Sequence, residues 1–411
     1  MAEIETSSSA AVEVVEGGIT APLGFRSASL HSGIKASGAL DLALLAADES
    51  VPAAALFTTN LAKAAPVLVS RQHLDGTGAR ARAIVVNSGC ANACTGENGL
   101  RDAREMARTA AEALGCAAEE ILVASTGVIG VALPIASVTR GIRTAVSSLA
   151  RDQGADAARA IMTTDPFPKE HAVAVHTAAG RFIVGGMAKG SGMIEPAMAT
   201  MLGFLTTDAV IPPAWLQRAL VESATDTFNA ITVDGECSTN DSLFALASGS
   251  SGVAIDEASY PALVDGLRAV SRSLALGIVR GGEGATKLIA VTVRDAASEA
   301  DARRVARTIA NSPLVKTAVH GADPNWGRIV AAAGRAGVVF DIDRATVHIG
   351  GVLLFENGLP HDDAAPQAAE HLKRRTIEID VSLGSTGGSA ATIWTCDLSA
   401  EYVRINGEYR T

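Results

Sequence analysis

The stretch at residues 189–202, which reads KGSGMIEPAMATML, constrains this chain more than any other. It begins with Lys189 and three small residues, whose backbone can adopt strained conformations. Pro196 fixes its own φ and favours an extended form for the residues before it. The stretch then reaches Ala199 and Thr200, a hydroxyl residue after a small residue in an apolar setting. Because a Thr hydroxyl can attack the preceding carbonyl, this pair is a candidate for a peptide bond that cleaves itself, helped by local strain.

Cleavage before Thr200 would create a new N-terminal threonine. Its free α-amino group, with a pKa of about 7.7–8.0, can act as a base towards its own hydroxyl. Judged alone, however, a small residue followed by Thr in an apolar run is more often an ordinary buried strand or helix position. The rest of the chain has to decide between these two interpretations.

Composition limits the class of protein. The 411 residues are enough for two or three domains of usual size. The chain is 48% hydrophobic but only 4% aromatic, which predicts a core of small aliphatic side chains in closely packed sheets and helices. A net charge of −10 argues against a nucleic-acid partner.

The cysteines and the apolar runs bear on metal binding, cellular location and membrane association. Cys90 and Cys94 lie four apart, but no second Cys or His pair completes a zinc set, so we expect no metal. Scattered free thiols favour a reducing, cytoplasmic location. No apolar run reaches the length of a membrane span and the acidic N-terminus is no signal peptide, so we expect no membrane partner. A disordered lead of about fifteen residues is expected.

The apolar periodicity predicts an α+β fold with few βαβ units. No linker divides the chain, so we expect one interlocked body whose pieces stay together after cleavage. Residues 18–69 are typical of short strands, and residues 171–193 predict a hairpin that leads into the 189–202 stretch. Further strands are predicted at 81–89, 120–126, 203–211 and 287–295, and helices at 100–114, 136–150, 213–228, 257–277, 298–311 and 363–374.

Two loops carry candidate chemistry. Thr126 and Gly127 lie at the end of a predicted strand, where a hydroxyl and a backbone N–H can meet as in an oxyanion hole; an ordinary turn is the alternative. The Gly-rich loop 279–289 lacks the Gly-Lys-Ser/Thr ending of a P-loop. We therefore interpret it as presenting Glu283 to a cationic group, or as a solvated turn. The polar loops 231–242 and 321–330 are compatible with ligand binding or with a structural role.

Several segments together resemble the ornithine acetyltransferase family, the bifunctional glutamate N-acetyltransferases of arginine biosynthesis. The resemblance runs from about Gly17 to Thr411. It rests on GFRSASLHSGIK, LFTTNLAKAAPV, VVNSGCANACTG, ASTGVIG, MTTD, KGSGMIEPAMATML, ITVDGECSTNDS, GEGATK, NSPLVKTAVHGADPNWGR and YVRINGEYRT.

This resemblance implies a layered αββα sandwich similar to that of N-terminal-nucleophile hydrolases. It implies self-cleavage between Ala199 and Thr200, which gives an α chain of residues 1–199 and a β chain of residues 200–411, assembled as two α and two β chains. The reaction implied is transfer of an acetyl group from N-acetylornithine to glutamate through an acetyl-Thr200 intermediate, with ping-pong kinetics.

The resemblance also assigns roles to single residues. Thr200 is the nucleophile, and Thr126 and Gly127 are the oxyanion donors. A substrate carboxylate can pair with Lys189 and its amine with Glu283. No cofactor is implied, and whether acetyl-CoA is also a donor stays open. The full set of implied substrate contacts is Thr163, Lys189, Thr200, Glu283, Asn406 and Thr411.

The chain departs from the commonest family pattern at four positions. Glu195 and Ala197 stand where His and Asn are frequent, and can alter the cleavage rate. Cys90 replaces a frequent Asn, and Gly281 a frequent Asp. Two alternatives stay open: an N-terminal-nucleophile amidase or aminopeptidase, with water as acceptor, and an uncleaved, non-catalytic paralogue that binds an amino acid. The sequence does not decide between arginine synthesis and a specialised metabolic route.

Overall fold

The computed structural model describes residues 11–195 and 201–408, so Ala197, Ala199, Thr200 and Thr411 lie outside the described residues. Within that part the strands are β1 (Ala11–Val14), β2 (Phe25–Leu30), β3 (Leu42–Phe57), β4 (Arg80–Cys90), β5 (Ile121–Val128), β6 (Lys169–Thr177), β7 (Gly180–Lys189), β8 (Leu202–Thr207), β9 (Ser242–Ala247), β10 (Leu288–Ala296), β11 (Thr346–Ile349), β12 (Val352–Glu356), β13 (Leu359–Pro360), β14 (Thr376–Ser382) and β15 (Ser389–Cys396). The α-helices are α1 (Ala65–Gly76), α2 (Gly96–Leu114), α3 (Ile135–Ser147), α4 (Gly154–Ala160), α5 (Pro213–Thr225), α6 (Tyr260–Arg280), α7 (Glu299–Ala310), α8 (Pro313–His320), α9 (Trp326–Gly334), α10 (Ala365–Leu372) and α11 (Ala400–Glu408).

The larger sheet has the strand order β1-β6-β7-β8-β9-β3-β4-β5, and β2 also pairs with β3. The long strand β3 links two halves of this sheet. Its first half pairs with β2 and β4, and its last five residues pair with β9. The register of β3 against β4 shifts between Ala46 and Val51, as a β-bulge does, and a bulge bends the strand. In this strand order, β8 and β9, which follow residue 200, lie between strands that precede residue 196.

The two halves of the sheet are layers of a sandwich. One apolar core contains side chains from β2–β5 together with side chains from β8 and β9, for example Leu45 and Phe204. A second core joins β3–β5 to α2 and α3 through residues such as Met106. A third joins β6–β9 to α5 and α6 through residues such as Leu267. The order of layers is helix, sheet, sheet, helix, which confirms the predicted αββα sandwich.

A smaller sheet, in the order β13-β12-β11-β14-β10-β15, has its own core with α7–α10. A β-bridge between Ile231 and Trp394 connects it to the segment after α5. In the larger sheet, β4 is parallel to β5 and is joined to it through helix α2. Likewise, β8 is parallel to β9 and is joined to it through helix α5. None of the helices in the described part of the chain combines the length and apolarity needed to cross a membrane.

The expected disordered lead of fifteen residues is wrong for residues 11–14. They form β1, which pairs antiparallel with the end of β6, with Val12 opposite Val175. The cause is tertiary, because β6 offers an edge to which a short segment can add hydrogen bonds.

The prediction of short strands alone for residues 18–69 is also wrong, because β3 is a single strand of 16 residues and helix α1 begins at Ala65. No side chain caps the start of α1, and Pro66 in its first turn is the local helix-start signal that the prediction overlooked. The helix is held to β5 instead: the Ser70 hydroxyl donates to the Val123 carbonyl at 2.7 Å, and His73 Nδ1 lies 2.8 Å from the Ile121 carbonyl oxygen.

Candidate functional site

A cavity of about 140 Å³ lies where the ends of β5 and β7, the start of β8, the loop before β9 and the loop after α6 meet. Met193 lines it, as does Met201, which directly follows Thr200 in the chain. The cavity brings together every predicted site residue that the structure describes: Thr126, Gly127, Thr163, Lys189, Glu283 and Asn406. Thr200 and Thr411 lie outside the described residues.

The end of β5 presents Thr126 and Gly127. The parallel register places Ser88 beside Thr126 and Gly89 beside Gly127. Gly127 has φ +127°, and a Cβ there would lie 2.3 Å from the Gly89 carbonyl carbon. Only glycine can occupy this position, because both the backbone conformation and the close approach of β4 exclude a side chain.

Lys189, the last residue of β7, reaches across the cavity to this strand end. Its Nζ donates to the Thr126 Oγ1 at 3.0 Å. An ammonium has no acceptor, so the Thr126 oxygen accepts here and its own hydrogen stays available to another partner. Burial lowers the pKa of Lys189, and Lys169 nearby adds to this, although Asp165 opposes the shift.

Asp165 organises the wall behind Lys189. It forms a buried ion pair with Lys169 at 2.6 Å, and accepts from the backbone N–H groups of Gly190 at 2.7 Å and Thr163 at 3.0 Å. Burial alone would raise the pKa of this carboxyl, but the charges of Lys169 and Lys189 and these hydrogen bonds outweigh burial and lower it. Asp165 is therefore an anion that positions Thr163 and the end of β7.

Glu283 lies on the Gly-rich loop after α6 and is buried. Its backbone N–H donates to the Ser191 carbonyl at 3.0 Å, and its carboxylate accepts from Asn406 Nδ2 at 2.7 Å. A Cβ on Gly192 would lie 2.4 Å from this carboxylate, so the glycine lets the two loops pack together. Of the two interpretations of this loop, the structure supports presentation of Glu283 and not a solvated turn. Helix α11 carries Asn406, so this hydrogen bond joins the last described helix to the loop that carries Glu283.

Sequence reasoning assigned no roles to Asp165, Asp234 and Asn240, although each lies in a segment that it had noted. Asn240 Nδ2 donates to the carbonyls of Ser125 at 2.9 Å and Ala91 at 2.5 Å, which fixes the end of β5. The polar character of loop 231–242 was the available signal. The other loop left undecided, 321–330, is a helix entry: Asn325 caps α9, and Trp326 stacks on Phe355 with ring centroids 5.1 Å apart.

Three of the four departures lie within the described residues. The Cys90 thiol is buried, which raises its pKa, and its Sγ lies 3.5 Å from the Val131 carbonyl oxygen. Gly281 accepts a hydrogen bond from the Ser191 hydroxyl at 2.6 Å. Glu195 contacts the amide of Asn311 at 2.5 Å. No cluster of three or more His, Cys, Asp or Glu side chains suited to a metal ion occurs in the part of the chain that the structure describes.

A layered α+β fold with a cavity that gathers a buried lysine, carboxylates and a strand-end hydroxyl defines an enzyme of the acyl-transfer class. The chain belongs to the ArgJ family, whose model matches residues 26–411. The predicted family is thereby confirmed.

Two relatives with similar sequences agree with this assignment, and one solved structure matches part of the chain. The arginine biosynthesis bifunctional protein ArgJ of Symbiobacterium thermophilum is 50% identical over 407 residues, which cover 97% of this chain and 100% of that protein. The protein of the same name from Dehalococcoides mccartyi is 48% identical over 408 residues, covering 96% and 98%. A solved chain of Mycobacterium tuberculosis ornithine acetyltransferase, complexed with ornithine, is 43% identical, with a TM-score of 0.42; the match covers 46% of this chain and 100% of that one.

Proposed function

We propose that this protein is a self-cleaving acetyltransferase of arginine biosynthesis that moves the acetyl group of N2-acetylornithine to glutamate. One observation carries the proposal: the predicted oxyanion donors and the described substrate contacts line one cavity, together with Met201. Family membership and the names of the relatives, which specify arginine biosynthesis, support it.

The first proposed step is cleavage between Ala199 and Thr200. The Thr200 hydroxyl oxygen attacks the Ala199 carbonyl carbon, a C–O bond forms, and the C–N bond breaks as the hydroxyl proton passes to the leaving nitrogen. Water then hydrolyses the ester. The products are an α chain that ends at residue 199 and a β chain with a free N-terminal Thr200.

The proposed transfer has two halves. The free α-amino group takes the Thr200 hydroxyl proton, the oxygen forms a bond to the acetyl carbonyl carbon of N2-acetylornithine, and the amide C–N bond breaks as ornithine leaves with that proton on its amine. The unprotonated amine of glutamate then forms a bond to the ester carbonyl carbon and the ester C–O bond breaks. A proton of that amine passes to the Thr200 oxygen, which restores the hydroxyl as N-acetylglutamate leaves. Electrons and atoms balance without a redox partner or a cofactor.

Thr126 and Gly127 are proposed to stabilise the tetrahedral oxyanion in both halves. Because Lys189 Nζ donates to Thr126 Oγ1, the Thr126 hydrogen is available to the oxyanion. Single donors of this kind contribute about 10²–10³ in kcat. The Gly127 N–H is the second proposed donor, on a strand end whose backbone packs tightly against β4.

The substrate is proposed to lie between Lys189 and Glu283, with Thr163, Asn406 and Thr411 as further contacts. Glu283 is buried and held by Asn406, so it suits a substrate ammonium group. Lys189 suits a carboxylate, although it also donates to Thr126.

We also propose acetyl-CoA as a second acetyl donor for glutamate, since the relatives are named bifunctional. The proposed assembly is two α and two β chains. The proposed location is the cytoplasm. The position of β8 and β9, which follow residue 200, between strands from before residue 196 in one sheet supports chains that stay together.

Denaturing mass spectrometry and an acetyl-transfer assay test the proposal together. Wild-type protein should give two chains, and Thr200→Ala a single intact chain of 41.8 kDa without turnover. N2-acetylornithine should release ornithine continuously only when glutamate is present. Equal continuous release without glutamate would indicate an amidase, and an intact, inactive wild-type chain would indicate a non-catalytic paralogue. Assay with acetyl-CoA in place of N2-acetylornithine tests the second donor.

A further inference from the structure

Met193 and Ile194 lie upstream of the proposed cleavage site. They are held by Thr232, Val233 and Asp234, which we call the upstream clamp because they bind this upstream segment. Val233 donates its N–H to the Ile194 carbonyl at 2.7 Å, and the Thr232 hydroxyl donates to the same oxygen at 2.9 Å. Each backbone polar group of Ile194 is thus paired with the clamp, because Asp234 accepts its N–H at 2.8 Å.

Asp234 makes the most specific contact of the clamp. One carboxylate oxygen accepts the Met193 N–H at 2.7 Å and the other accepts the Ile194 N–H at 2.8 Å. The Tyr402 hydroxyl donates to the same carboxylate at 3.2 Å. Met193 has φ +57°, a left-handed conformation that is unfavourable for a residue with a side chain. The carboxylate stabilises this conformation because it binds both successive amides.

Two further contacts hold Glu195 in place. Its carboxylate accepts from Asn311 Nδ2 at 2.5 Å and lies 3.6 Å from Arg307 Nη1. Asn311 Oδ1 lies 2.7 Å from the Thr232 hydroxyl oxygen, and the single hydrogen of this hydroxyl is shared between Asn311 and the Ile194 carbonyl. The glutamate that departs from the family pattern is therefore joined to the upstream clamp through one shared amide.

The chain is also held on the other side of the proposed cut. The Met201 carbonyl accepts from the Ser242 N–H at 3.1 Å, and Leu202 pairs with Lys189 in the sheet. Holding both ends of a short segment removes conformational freedom from it. A nucleophile and a carbonyl within such a segment meet more often, which is the advantage of proximity.

We infer that Asp234 is a positioning residue for self-cleavage, acting through the amides of Met193 and Ile194. This inference depends on the proposed function, because it assumes the cut between Ala199 and Thr200. Asp234 lies downstream of the cut and its partner amides upstream, so after cleavage the same contacts would join the end of the α chain to the β chain.

The chain offers a matched control. Asp208 is buried and also binds two backbone amides, accepting from Ile183 at 2.7 Å and Leu23 at 3.0 Å. It does not line the cavity. Asp208→Asn and Asp234→Asn therefore make the same chemical change, each replacing one acceptor oxygen by a donor, in two different places.

Cell-free synthesis followed by denaturing mass spectrometry measures the fraction of intact chain against time. We expect Asp234→Asn to slow cleavage about 10- to 100-fold, the effect of losing a hydrogen bond to a charged group. Asp208→Asn should cleave at the wild-type rate although its melting temperature falls. Thr232→Val, which keeps the side-chain shape, should slow cleavage about three- to tenfold and guards against a misfolded Asp234→Asn variant.

Wild-type rates in both Asp234→Asn and Thr232→Val would overturn the inference, and so would equal slowing in Asp208→Asn, which would show a general stability effect. An uncleaved wild-type chain would overturn the proposed function and the inference together. The wild-type sample therefore distinguishes a failure of the proposed function from a failure of the inference alone.

Discussion

Replacing Lys189 by Met tests whether this lysine acts through Thr126 or directly on the substrate. The structure places Nζ 3.0 Å from the Thr126 hydroxyl oxygen, so its loss frees that hydroxyl to rotate away from the cavity. If Thr126 is an oxyanion donor, the loss of its orientation should reduce kcat about 10²–10³-fold, or about 2.7–4 kcal/mol of transition-state stabilisation. The fold should survive, because Lys169 still pairs with Asp165.

A double-mutant cycle with Thr126→Val separates the two roles. If Lys189 acts only by orienting the Thr126 hydroxyl, the double variant should be about as slow as either single variant, because one function is lost in all three. If Lys189 binds the substrate carboxylate independently, the losses should multiply and KM should rise. Steady-state kinetics with N2-acetylornithine and glutamate, normalised to the cleaved fraction, give both quantities. Multiplying losses would refute an orienting role.

Two further predictions concern Gly127, which lines the cavity, and Asp165, which binds the backbone of Thr163 behind it. Gly127→Ala should abolish transfer and destabilise the fold, since its Cβ would lie 2.3 Å from the backbone of β4; near-wild-type activity would contradict the strand-end geometry. Asp165→Asn should cost about 3–5 kcal/mol in urea unfolding at pH 7, because it leaves Lys169 buried without its carboxylate. The folded-state pKa of Asp165 is lowered, so its contribution is present above the ordinary pKa of about 4 and is lost as pH falls through the folded value. Unfolding measured from pH 6 to pH 3 should show a steeper loss in wild type than in Asp165→Asn, and parallel curves would contradict this.

Elements with a strong local pattern were predicted well from the sequence. Helix α2 contains all of the predicted residues 100–114, and α7 at Glu299–Ala310 nearly coincides with 298–311. Both have an apolar stripe at the helical period, and Ser298 caps α7 by accepting from the Asp301 N–H. Helix α1 and strand β1 were missed because neither has such a stripe. These two elements form because they contact strands that are distant in the sequence: α1 contacts β5, and β1 pairs with β6.

The residues that the sequence identified in the site are those to which the family resemblance assigns a role. Thr126, Lys189 and Glu283 lie in segments that resemble that family, and the structure places them around one cavity. The residues that it missed, such as Asp165 and Asp234, hold backbone amides in place. Their importance depends on which amides come near them, and no spacing in the sequence reveals that.

The stretch at 189–202 shows most clearly what the sequence determines and what only the tertiary structure decides. The sequence alone determined that small residues, a proline and a threonine follow one another there, since these are properties of covalent structure and side-chain type. Only the tertiary structure decided that Lys189 donates to Thr126, 63 positions earlier, and that Asp234, 40 positions later, binds the amide of Ile194. Hydrogen bonds depend on distances of about 3 Å between atoms, and only the folding of the sheets brings such distant positions that close.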